Sequence, residues 1–181
     1  MDFYNKSYRI ETMLTEAQLD ERIQALGAQI TEEYRDRGTV VLVGVLRGSF
    51  MFIADLVRAI DLPIEVDFIG VSSYGDAQSS SGVVRLTQDL TRPVEDKHVL
   101  LVEDIVDTGL TIDYLMANLA TRRPASIKVC TLLHKPDNKK IEVPLDYVGF
   151  EIENKFVVGY GLDHSAKLRN LPFIGVVTGT P

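Results

Sequence analysis

Glu103, Asp104 and Asp107 put three carboxylates within five residues, and Thr108, Gly109 and Thr111 follow directly. Threonine hydroxyls, a glycine that lets a ligand approach the backbone, and the unpaired N–H groups of an opening helix together make an anion site of phosphate size. The carboxylates would repel a bare phosphate. They need a second kind of partner in the same ligand: sugar hydroxyls, from which they accept, or a divalent cation shared with it. A phosphorylated sugar with Mg²⁺ meets both demands. A lone Asp-Thr-Gly turn would serve equally well as a helix cap facing water, so the flanking pattern has to decide.

Val99, Leu100, Leu101 and Val102 have the branching of a strand buried on both faces, which is expected to end at Glu103 and Asp104. From Leu110 onward, Ile112, Leu115, Met116 and Leu119 recur at helical spacing, so Asp107-Thr108-Gly109 is read as the turn from strand to helix. As neighbours on a strand, Glu103 and Asp104 point different ways and would not grip one ion symmetrically. Rival motifs fail. No G-x-x-x-x-G-K-[ST] is present, Gly159-Tyr160-Gly161 lacks the third glycine of a dinucleotide fingerprint, and no G-x-S-x-G or H-E-x-x-H occurs. Asp104 and Asp107 are three apart, where an aspartyl-phosphate phosphatase needs two. His98, His134 and His164 lack metal-ligand spacing with the single Cys130.

The elements that must hold these residues read as one globular body. With 181 residues, 45% hydrophobic and 25% charged, the chain suits a single domain spanning 1–181. A net charge of −7 disfavours nucleic acid and anionic membranes as partners, so an anionic substrate must be drawn in by local positive groups. Cys130, alone in an alternating run, is expected to be a buried thiol, which fits a reducing cytoplasm. No run approaches a membrane span, and the start carries no apolar leader.

Along the chain, an edge strand is expected around Tyr8 to Thr12. A capping box at Thr15 and Gln18 then opens a helix with the stripe Leu19, Ile23, Leu26, Ile30 and Tyr34. Thr39 to Leu46 is a buried strand, and Phe50 to Ile60 a helix with Ser49 as its cap. Ile64, Val66 and Phe68 alternate with Glu65 and Asp67 toward Ser72, giving a strand with one wetter face. Ser73 to Gly82 is polar and unpatterned, by composition either a connector or a lid, and Val83 to Gln88 returns as a strand. After the central stretch come strands at Ser126 to Leu133, Tyr147 to Phe150, Phe156 to Val158 and Phe173 to Val177. This order predicts a parallel α/β sheet covered on both faces, with an irregular C-terminal third beside the strand ends.

The run from Val99 to Thr111, VLLVEDIVDTGLT, resembles the phosphoribosyl pyrophosphate signature of the type I phosphoribosyltransferases. Further stretches extend the likeness: Leu46-Arg47-Gly48-Ser49, Ser73-Tyr74, Leu133-His134-Lys135, Val148 to Ile152, and Lys155 through Asp163 to Arg169. Together they resemble, collinearly over nearly the whole chain, the hypoxanthine-guanine phosphoribosyltransferases of the short bacterial kind. Gly161 and Leu110 stand at positions that vary in that family.

The resemblance implies a central, mainly parallel twisted sheet flanked by helices, with a small C-terminal hood. It also implies transfer of phosphoribosyl from phosphoribosyl pyrophosphate to hypoxanthine or guanine, with Mg²⁺, releasing pyrophosphate. Glu103 and Asp104 would meet the ribose hydroxyls or their metal, and the amides of Asp107, Thr108, Gly109, Leu110 and Thr111 would hold the 5′-phosphate. Asp107 would act as general base or acid at N7 while N9 attacks the sugar. Arg47, Gly48 and Arg169 would hold pyrophosphate, with a cis peptide between Leu46 and Arg47. At the purine, Lys135 would donate to the oxygen at position 6, Phe156 would stack on the ring and Val157 would offer its backbone. Beside the purine, Asp163 would bind Mg²⁺, and Ser73-Tyr74 would head a lid. Relatives are dimers or tetramers. Rival readings are a regulator that keeps the sugar-phosphate site and binds RNA or DNA, and a pyrimidine-using relative.

Overall fold

The computed structural model describes residues 9–73 and 84–178. In chain order the strands are β1 (Arg9–Leu14), β2 (Val40–Leu46), β3 (Ile64–Ser73), β4 (Val84–Gln88), β5 (His98–Val106), β6 (Ser126–His134), β7 (Tyr147–Glu151), β8 (Val157–Val158) and β9 (Ile174–Thr178). The helices are α1 (Glu16–Tyr34), α2 (Phe50–Ala59) and α3 (Leu110–Ala120). Six strands form the main sheet in the order β4-β3-β2-β5-β6-β7, all parallel except β4, which runs antiparallel to β3. Alternate residues of the apolar central strands serve opposite faces. Leu42, Leu100 and Val102 pack under α1 and α2, whereas Val41, Val43, Val99 and Leu101 pack with Ile112, Leu115 and Leu119 of α3.

The chain turns back on itself between β2 and β5. Beyond β2 it passes through α2 to β3 on one side, and beyond β5 through α3 to β6 on the other. A ligand crevice belongs outside the carboxyl ends of two such strands. A second, antiparallel sheet, β1-β9-β8, forms a hood whose Val157 and Ile174, with the nearby Tyr160 and Leu162, join the core on the α1 and α2 side.

Local expectations fare unevenly. The Thr15–Gln18 capping box is present and all five stripe residues of α1 are buried. Cys130 is buried, and burial pushes its thiol up. Ser49 does not cap α2 with its side chain. Its hydroxyl turns back and donates to the Val45 carbonyl at 2.6 Å, inside the core. On β3 the alternation holds for Ile64 and Phe68, which pack against the core, but fails at one adjacent pair. Val66 is 45% exposed and Asp67 only 7%. The Asp67 carboxylate is worth burying because it accepts from the Phe68, Thr91 and Arg92 amides and the Thr91 hydroxyl, tying the 91–92 turn to the sheet. Burial alone would raise this carboxyl, but those donors hold it below the usual carboxylate range. Finally, β5 does not stop at Glu103 and Asp104. It continues to Val106 because β6 runs on beside it, pairing Ile105 with Leu133 and Val106 with His134.

Candidate active site

Three parallel strands deliver functional groups to one edge of the sheet. β2 leads into Arg47-Gly48, β5 carries Asp104 near its end and leads into the Asp107 turn, and β6 leads into Lys135. The hood covers them from above. Between lies a cavity of about 590 Å³ lined by Arg47, Gly48, Asp104, Asp107, Lys135, Phe156, Val157, Asp163 and Arg169, with Val71, Ser72, Ile105 and Leu162 completing the wall. The Leu46–Arg47 peptide bond is cis. Gly48 admits no side chain. A Cβ there would fall 1.7 Å from Asp104 Oδ2, so the backbone of β2's end lies directly on the carboxylate of β5.

A smaller recess of about 80 Å³ adjoins it, lined by Glu103, Asp107, Thr108, Gly109 and Thr111. Gly109, at φ +84°, is the left-handed residue that turns β5 into α3, and its open α-carbon lies under the Ile141 carbonyl, 2.5 Å from where a Cβ would stand. The first-turn N–H groups of α3 therefore face a pocket of phosphate size. Leu110 begins α3 without lining either cavity. Asp107 lines both, and so sits between them.

Glu103 lines the recess and Asp104 the larger cavity. They remain electrically one unit. Burial raises both carboxyls above their ordinary range, and the Asp104 charge raises Glu103 further. Glu103 Oε2 is buried with no hydrogen-bond partner among the described residues. An orphaned carboxylate oxygen beside a second buried carboxylate suits a hard divalent cation. No group of three or more His, Cys, Asp or Glu converges among the described residues, so such an ion would complete its shell from phosphates and water.

On the far wall the groups are cationic and aromatic. Lys135 is 7% exposed and has no ion-pair partner among the described residues, so its ammonium is held at the cavity rather than neutralised. Phe156 is 53% exposed and meets His164 edge to face, centroids 5.4 Å apart, leaving a ring face available. Val157 sits on the hood's edge strand. The Val177 amide donates to the Phe156 carbonyl at 3.1 Å, and antiparallel pairs alternate, so the Val157–Val176 pair is not hydrogen-bonded. The Val157 N–H and C=O therefore point away from β9. Arg169 and Asp163 are paired with each other at 2.5 Å, and Arg169 also donates to the Gly161 carbonyl. Asp163 Oδ2 accepts from the Ala166 amide.

Of the expected lid, Ser73 closes β3 and Tyr74 lies outside the described residues. Sequence reasoning missed Val71 and Ser72, which only the register of β3 brings to the cavity, and Asn138, whose Nδ2 donates to Asp107 Oδ1 at 2.6 Å. The turn-forming Pro136-Asp137-Asn138 directly after Lys135 was the available signal for the latter.

Comparison with known proteins supplies a context for this geometry. The phosphoribosyl transferase domain profile matches residues 12–165. The chain is 48% identical over 174 residues to the hypoxanthine phosphoribosyltransferase of Haemophilus influenzae, covering 95% of this chain and 97% of the relative. Against the hypoxanthine-guanine phosphoribosyltransferase of Mycobacterium avium it is 49% identical over 170 residues, covering 91% and 84%. The crystal structure of a hypoxanthine-guanine phosphoribosyltransferase from Bacillus anthracis superposes with a TM-score of 0.89 at 42% identity, covering 94% of this chain and all of that one.

Proposed function

The chain belongs to the phosphoribosyl transferase family, and from that membership we propose that it transfers phosphoribosyl from phosphoribosyl pyrophosphate to N9 of hypoxanthine or guanine, giving IMP or GMP and pyrophosphate. One observation carries the reading. Asp107 stands between a phosphate-sized recess of backbone amides and a cavity that offers a buried lysine, an open aromatic face and an unpaired strand edge. The first suits a 5′-phosphate and the second a flat, oxygen-bearing heterocycle, which leaves Asp107 level with the bond to be made.

The 5′-phosphate accepts from the amides of residues 107–111 and the Thr108 and Thr111 hydroxyls. The base stacks on Phe156, its exocyclic oxygen accepts from Lys135, and its edge meets the Val157 backbone, which favours 6-oxopurines over adenine. As N9 bonds to C1′, the bond from C1′ to the pyrophosphate oxygen breaks and takes its electron pair with it. Asp107 accepts the proton released at N7, a contribution of ~10²- to 10⁴-fold in rate. Arg47, the Gly48 backbone and Arg169 bind the departing pyrophosphate, for which Arg169 must exchange Asp163 for phosphate oxygens. Asp163 on the pyrophosphate side and Glu103 and Asp104 on the ribose side would hold Mg²⁺, which when bound would supply neutralisation of phosphate charge. Ser73-Tyr74 then heads a lid that excludes water. A homo-oligomer, dimer or tetramer, would cover the exposed Phe50 and Val66. No helix among the described residues is long and apolar enough to cross a membrane, and a cytoplasmic location accords with the free Cys130.

Steady-state turnover with phosphoribosyl pyrophosphate and Mg²⁺, offering hypoxanthine, guanine, xanthine, adenine and uracil separately, tests the proposal. Nucleotide formation from 6-oxopurines, abolished by EDTA, is expected. Turnover of uracil alone, or tight binding of phosphoribosyl pyrophosphate without any turnover, would overturn it.

A further inference from the structure

Asp107 carries a carboxylate whose terminal torsion is soft, yet proton transfer needs one oxygen aimed at the base. Asn138 supplies a constraint. Its Nδ2 donates to Asp107 Oδ1 at 2.6 Å, and its own Oδ1 accepts from Asn154 Nδ2 at 3.2 Å. The second bond sets the first. With Asn154 donating to the amide oxygen, the Asn138 amide nitrogen has to face Asp107. Among the described residues Asp107 Oδ2 takes no hydrogen bond, so the chain Asn154–Asn138–Asp107 engages one oxygen and leaves the other for substrate.

Asn138 is itself anchored to both sides of the site. It ends the 3-10 turn Pro136–Asn138, and its N–H donates to the carbonyl of Lys135, the buried cation of the base cavity. The residues just beyond it dock onto the Asp107 turn, where the Lys140 and Ile141 amides both donate to the Thr108 carbonyl, at 3.0 and 3.1 Å. One short segment therefore fixes the spacing between the group that reads the base and the group that takes its proton.

We infer that Asn138 is a positioning residue for Asp107, oriented in turn by Asn154, so that the free carboxylate oxygen faces the purine. The inference rests on the proposed oxopurine transfer with Asp107 as the proton acceptor. Its test is a double-mutant cycle in the full chain, with Asn138→Ala, Asn138→Asp, Asp107→Asn and Asn138→Ala combined with Asp107→Asn, each assayed for kcat, KM and Tm beside the wild type. Asn138→Ala lowers kcat about tenfold, as expected for losing one hydrogen bond to a charged group, and leaves KM for phosphoribosyl pyrophosphate and Tm nearly unchanged. Asn138→Asp, which keeps the shape but replaces the donor by a like charge, lowers kcat at least as far. In the Asp107→Asn background, removing Asn138 changes kcat less than about twofold.

Equal loss in both backgrounds, or full activity of either Asn138 variant, would overturn the inference while wild-type turnover leaves the transfer reading intact. A wild type that turns over no oxopurine would overturn the reading itself, and the inference with it.

Discussion

Substitution of Gly48 by alanine probes the closest approach in the site. A Cβ at position 48 would lie 1.7 Å from Asp104 Oδ2 and 2.4 Å from its Cγ. Real Cβ contacts essentially never fall below 3.0 Å, so going from 1.7 to 3.0 Å requires a retreat of about 1.3 Å. Asp104 can retreat only into the cavity it lines. Its side chain is otherwise buried, it follows directly on the buried Glu103, and its strand stays paired with β6 as far as Val106. Either Asp104 leaves its place or the Arg47-Gly48 backbone lifts away from the pyrophosphate position. A displacement near 1 Å in a positioned group costs ~10²-fold in rate, equivalent to about 2.7 kcal/mol, while overpacking costs about 1–3 kcal/mol of stability. We therefore expect kcat/KM for phosphoribosyl pyrophosphate to fall about 10²-fold with a folded protein whose Tm drops by several degrees. The assay is steady-state IMP formation at saturating hypoxanthine beside a thermal melt. A Gly48→Ala enzyme within about threefold of wild type would refute the claim that backbone and carboxylate must touch for turnover.

Asp107→Asn should lower kcat by at least ~10²-fold and leave Tm and phosphoribosyl pyrophosphate binding near wild type, as read by single-turnover kinetics and calorimetry. Lys135→Ala should raise KM for hypoxanthine and guanine while phosphoribosyl pyrophosphate affinity stays within a few-fold; equal loss of both would point to folding instead. Asp67→Asn should be destabilising by about 1–3 kcal/mol near neutral pH, since the ionised carboxylate accepts three amide bonds and one hydroxyl bond. The Asp67 carboxyl is depressed in the fold, so its stabilisation is present above the unfolded value and is lost as pH falls through the folded one. Urea titrations of both proteins should therefore converge in acid, and a deficit that grows as pH falls would contradict the assignment.

What could be read from the chain was whatever depends on near neighbours. The α1 cap and stripe follow from spacing along one helix, and the paired faces of β2 and β5 follow from uninterrupted branched residues. All but one of the failures share a cause, in that each was settled by a distant segment; Ser49, which bonds back only four residues, is the exception. Asp67 is buried because the 91–92 turn brings donors to it, and a period-two pattern cannot see a turn 24 residues away. Ser49 could have capped α2 or bonded back to Val45, and packing in the core chose the second. β5 runs past its acids because β6 continues beside it. In the site, motif residues on strand ends were legible. The availability of the Val157 edge depends instead on hydrogen-bond parity with β9, and the Asp107 to Asn138 contact spans 31 residues.

The hood also dictates an order of assembly. β9 holds β8, which presents Phe156 and Val157, and β1 holds β9, with Arg9 opposite Thr178. During synthesis the main sheet through β7, with its phosphate recess, can form while β9 is still unmade. The hood wall of Phe156 and Val157 cannot. Closing a contact between such distant parts of the chain is entropically costly and occurs late. A nascent chain thus acquires its phosphate-sized recess and Lys135 before it has the hood wall of Phe156 and Val157.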